Sequence, residues 1–209
     1  MCNLKKNLMS TAHSLKVENK PMLFSYDIAT EQKIIEKWVF DNQRYSRRDL
    51  HMEAKLLLTL ASDFIDIITS KNLNQTQLDN LEVAIKDGAS GVWEKAINRL
   101  TLLAFHFENA KDAIISLIEN SDAKTVERVL DCVSSIFTTE EQIVILKIGF
   151  KNKSKKVRIK SANTALDLRN LELNEYLESE YLMQNDLKVK ESIKFAMENM
   201  WQKKGELIF

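Results

Sequence analysis

Apolar residues recur along this chain at steps of three and four, and no apolar–polar alternation runs long enough for a strand. Ile34, Ile35, Trp38 and Val39 give a first helix one apolar face, with Thr30 and Lys33 at its start. Arg44 to Arg48 is a polar, basic connection. Leu50, Ala54, Leu57, Leu58, Ala61, Phe64, Ile65 and Ile68 then predict the longest helix, up to a polar break at Asn72 to Thr76. Leu78, Leu81, Ala84 and Ile85 predict a shorter one, ended by Asp87-Gly88 with the glycine as a left-handed cap. Ser90 is the expected N-cap of a helix carrying Val92, Ala96, Leu100 and Leu103. Ala113, Ile114, Leu117 and Ile118 mark the next, which stops at Asn120. Val126, Val129, Leu130, Val133 and Phe137 predict a helix over 122–137, and Thr138-Thr139-Glu140-Glu141 the start of another. Helices over 154–168, Leu171 to Leu182 and 186–203 complete the series.

One pattern recurs four times in this second half: Val92-x3-Ala96-x3-Leu100, Val126-x3-Leu130, Val157-x4-Ala162-x3-Leu166 and Val189-x3-Ile193-x3-Met197. The lead valines are 34, 31 and 32 residues apart, a period that stacked helix pairs produce. The stretch Ser154-Lys155-Lys156-Val157-Arg158-Ile159-Lys160-Ser161-Ala162-Asn163-Thr164-Ala165-Leu166 resembles the inner helix of a HEAT repeat: a polar loop, Val-Arg, then small residues and leucine. Asp186-Leu187-Lys188-Val189-Lys190 repeats the theme with lysine for arginine. Val126-Glu127 lacks the basic residue, and Val92-Trp93 replaces it with an aromatic. Small residues such as Ala162 and Ala165 suit close helix approach, while Val157 and Leu166 fill the groove.

The resemblance covers roughly residues 88–204. It implies an all-α chain, an α-α superhelix of stacked antiparallel helix pairs with an N-terminal helical cap. Residues 1–20 are expected to be irregular, 21–88 to form the cap or atypical repeats, and 89–209 to form HEAT-like repeats continuous with it. The resemblance also places the second helix of each pair on a concave side. That assigns Trp93, Glu94, Arg99, Glu127, Arg128, Asp131, Arg158, Asn163 and Asp167 to an exposed binding face.

Composition narrows the function. The chain has 209 residues, only 4 glycines and 1 proline, so tight hairpins are few. Lys+Arg 30 against Asp+Glu 30 gives no overall attraction to nucleic acid or anionic membrane, though a local patch remains open. No apolar run reaches the length of a membrane span or a signal-peptide core, and the two cysteines, Cys2 and Cys132, fit a reducing compartment. A cytoplasmic protein is expected.

Candidate chemistry is sparse. His13, His51 and His106 lack metal-type spacing, and there is no phosphate-cradling glycine loop or nucleophile elbow, so no metal or small-molecule cofactor is expected. Cys132 on the Val129-Val133 face reads as a buried, inert thiol. The strongest charge feature runs from Lys151 to Lys160 and holds six basic residues and no acid. Lys153, Lys155 and Lys156 in it are a candidate phosphate or acidic-face contact, or a solvated loop partly neutralised by Glu172, Glu175, Glu178 and Glu180. Trp93 either anchors a partner or closes the junction with the preceding helices, the second being favoured. The leading expectation is a non-catalytic protein-binding solenoid: an adaptor, inhibitor or immunity-type protein. The alternative is a nucleic-acid-binding protein of the alkylpurine DNA glycosylase type, for which Asp131, Asp167 and Trp93 are the available residues. A lyase or chaperone acting on a protein-bound cofactor has no residue signature here.

Overall fold

The computed structural model describes residues 28–45 and 50–200. Cys2, His13, Pro21 and Trp201 lie outside them, as do the expected irregular segment 1–20 and most of the Arg44 to Arg48 connection. All regular elements among the described residues are helical, so the all-α class holds. The chain divides into two compact units, residues 1–74 and 75–209. The boundary expected at Gly88 therefore falls inside the second unit.

In the first unit, α1 (Ile28–Asn42) packs against α2 (Leu50–Ser70). The turns of α2 bury Leu57, Leu60, Ala61, Phe64 and Ile67 on one stripe. The spacing predicts Leu57, Ala61 and Phe64 there but not Leu60 and Ile67, and the expected Leu58, Ile65 and Ile68 are only half-buried. The side chain of Gln43 accepts the Leu50 backbone N–H at 2.9 Å, satisfying one of the donors that a helix start leaves over. On α1 the apolar face is narrower than expected: Ile35 is buried, but Ile34 is exposed.

The second unit holds α3 (Gln75–Asp87), α4 (Val92–Ala104), α5 (Glu108–Asn120), α6 (Ala123–Val129), α7 (Thr139–Lys151), α8 (Lys155–Leu168), α9 (Asn174–Met183) and α10 (Leu187–Asn199). Helices α3 to α6 pack in succession, as do α7 with α8 and α9 with α10, and some alternate helices pack as well. Helix α5 lies against α3 and α7, and α8 against α6 and α10. The lead valines Val92, Val126, Val157 and Val189 are all fully buried. Ala162 and Ala165 sit in a core with Leu146, Phe150, Leu177, Val189 and Ile193, where their small size admits α10 alongside α8. Burying a side chain such as Phe150 stabilises by about 1.5–3 kcal/mol.

Local geometry departs from the sequence at three ends. Gly88 is not the left-handed residue; Gly91 is, at φ 91°, and it rather than Ser90 occupies the N-cap of α4. A side chain at Gly91 would be strained in that region, whereas Gly88 is small because a Cβ there would strike the Ala84 carbonyl and come 2.9 Å from Val92 Cγ1. The Ser90 hydroxyl instead donates to Glu94 at 3.1 Å. Helix α6 stops at Val129, and Leu130–Cys132 form a 3-10 turn, so no single helix spans 122–137. Ser134 and Ser135 follow in a poor helix-forming stretch, and Thr138 then imposes its own start. That start is a full capping box: Thr138 accepts the Glu141 N–H, and Glu141 accepts the Thr138 N–H at 2.7 Å.

Candidate functional site

Helix α6 is short but firmly set. Asp122 caps it, accepting the Thr125 N–H at 2.8 Å, and the Thr125 bonds, with Lys124 and Arg128 nearby, hold the Asp122 carboxyl below its ordinary range. Thr125, Val126 and Val129 are buried, so Lys124, Glu127 and Arg128 are turned toward the opposite side. The 3-10 turn that follows adds Asp131.

Trp93 on α4 and Lys160 on α8 complete a cleft of about 260 Å³ with these four side chains. Arg128 organises it. Its guanidinium lies 4.8 Å from the centre of the Trp93 ring and donates to the carbonyls of Ile85 and Lys86, the last of these at 3.2 Å. One side chain thus stacks on an aromatic face and caps the carbonyl end of α3. The other polar tie is the ion pair between Lys160 and Asp131, both largely shielded from solvent. Trp93 is half-buried, large and flat, and Arg128 covers it from one direction.

Of the residues assigned to the binding face, Trp93, Glu127, Arg128 and Asp131 converge in this cleft. Lys124 and Lys160 were missed; the signal for them is the repeat period, which brings positions about a repeat apart to neighbouring helices. Arg99 is corrected: it is 4% exposed, inside the core side of α4, and presents no surface to a partner. Asn163 and Asp167 are exposed on α8. Arg158 donates to the carbonyls of Asn152 at 2.8 Å and Lys153 at 3.0 Å, closing the loop that follows α7.

The basic run is dispersed. Lys153 and Lys156 are exposed, while Lys155 pairs with Asp186 at 2.9 Å and Lys160 with Asp131. The neutralising acids are therefore these aspartates. Glu180, by contrast, is buried and accepts from Tyr176 at 2.9 Å, and Glu172 accepts from Thr139.

Comparison with protein-family models, curated proteins and solved structures returned no match. Function therefore has to be read from the chain itself. Cys132 is fully buried, and burial pushes its thiol up to about 12, far from a reactive thiolate. Among the described residues no group of three or more His, Cys, Asp or Glu side chains is placed to hold a metal ion. None of their helices is long and apolar enough to cross a membrane. A larger cleft of about 790 Å³ in the first unit is lined by Ile35, Val39, Phe40 and Leu58 with Arg44 and His51; no sequence motif pointed to it.

Proposed function

We propose that this chain is a non-catalytic, protein-binding α-solenoid of HEAT-like character, working as an adaptor, inhibitor or immunity-type protein. The recognition surface is the exposed face of α4, α6, α8 and α10, the second helices of its pairs. The stacking reading is supported by the contacts of alternate helices, α5 with α3 and α7 and α8 with α6 and α10. The observation that carries the function is the cleft in which Arg128 stacks on Trp93, ringed by charges of both signs. Tryptophan and arginine held in fixed geometry beside a partly shielded depression are what interface hot spots are made of.

The test is affinity capture from the native host with wild-type and Trp93→Ala protein, followed by identification of the partner. Loss of a hot-spot aromatic weakens a complex by about 30-fold or more, corresponding to roughly 2 kcal/mol. Unchanged affinity, with the helical signal of the variant intact, would reject this face as the site.

A nucleic-acid role of the alkylpurine DNA glycosylase type gains from one observation: the same cleft places Trp93 and Asp131 beside Lys124, Arg128 and Lys160. Salt-dependent binding of duplex DNA with release of an alkylated base would establish it. Absence of binding at low salt would remove it.

A further inference from the structure

Overall neutrality conceals a separation of charge. The four second helices and the 3-10 turn after α6 carry eleven lysines and arginines against six acids, a net of +5. The four first helices, α3, α5, α7 and α9, carry four lysines against eleven acids, a net of −7. Within the basic set α6 packs with α8, α8 with α10 and the 3-10 turn with α4; within the acidic set α3 packs with α5 and α5 with α7. Lys124, Lys156 and Lys188, one on each of α6, α8 and α10, are all exposed. The hydrophobic period that builds the repeat therefore also stacks a basic row.

We infer that the second-helix face binds an acidic protein surface, a deepening of the protein-binding reading and resting on it. Charge complementarity argues for the sign, and the interspersed acids argue for protein over nucleic acid. Glu127 and Asp131 share the cleft with the cations, and Glu191 is exposed on α10. A duplex presents about one phosphate every 1.7 Å and would set like charge against these groups. An acidic protein surface carries its own scattered lysines and arginines, which meet them, and such complementarity fixes register and speeds encounter.

The test uses the full-length chain, isotopically labelled and titrated at physiological salt with a short Glu/Asp-rich peptide and, in parallel, a short DNA duplex. The peptide is expected to shift amides of α6, α8 and α10. The K124E/K156E/K188E variant should bind it about tenfold more weakly or worse, and the K147E control, altered on the first helix α7, should bind as wild type. All variants are checked for helical content first. Tighter binding of the duplex than of the peptide overturns the inference in favour of nucleic acid. Salt-sensitive self-association in sedimentation overturns it too, making a second copy's acidic layer the occupant. Binding of neither probe also overturns it. The broader reading is tested separately, because a captured partner that is lost on Trp93→Ala keeps protein binding even then.

Discussion

Replacing Gly149 by alanine tests the packing of α7 on α8 directly. In an exposed helix the change would stabilise the protein by about 1 kcal/mol, since alanine loses less backbone freedom on folding. At Gly149 a Cβ would overlap Ser161 Oγ and lie 3.1 Å from Ser161 Cβ. Ser161 is fully buried, and its hydroxyl donates to the Val157 carbonyl at 3.0 Å. Either the hydroxyl gives up that bond and turns into a packed core or the helices part, whereas the approach of the two Cβ atoms alone asks for only a few tenths of an ångström. Overpacking of this kind costs about 1–3 kcal/mol. Set against the propensity gain, the expected result is a net loss of about 1 kcal/mol, opposite in sign to the surface expectation. Urea unfolding followed by circular dichroism measures it. Ser161→Ala alone should be close to neutral, because it gives up only a bond to its own preceding turn. Combined with Gly149→Ala it should recover most of the loss, a coupling of about 1 kcal/mol. Stabilisation by the single change, or a coupling near zero, would refute the close crossing.

Two further outcomes follow from titratable groups. Burial pushes Glu141 up, but the Thr138 N–H and Lys111, 3.0 Å away, outweigh it and leave its carboxyl below the ordinary 4.5. A group with a depressed folded value contributes stability above its unfolded value and loses it as pH falls through the folded one. Glu141→Gln should therefore flatten the decline of stability below about pH 4.5, and Thr138→Ala should cost about 1 kcal/mol at neutral pH; an unchanged acid slope in Glu141→Gln removes the pair from the account. Cys132 should resist a thiol reagent in the native protein and react once urea unfolds it, and rapid native labelling would show that its burial is wrong.

Much of the helical framework was legible because buried apolar spacing leaves a direct trace. Leu57, Ala61 and Phe64 on α2, the helix start at Thr138 and the four lead valines were read from residue order alone. What failed depends on backbone conformation or on partners far along the chain. Nothing in the composition near Gly88 and Gly91 says which of them bends left-handed. Arg99 was legible but misread: it stands three residues after Ala96 and four before Leu103, on the buried stripe. Lys160 meets Asp131 across 29 residues, and Arg128 meets Ile85 across 43. Only the repeat period could connect such positions, and it is blurred where α6 ends early.

The opposed charges of the two helix sets have a consequence for motion in solution. Within the second unit, +5 and −7 fall on separate sets of helices. A nearby charged surface exerts a turning force on that unit as well as a pull, which favours approach with the set of opposite sign forward. Orientation, which otherwise limits how many collisions lead to docking, is then settled during approach, within about 8–10 Å at ordinary ionic strength.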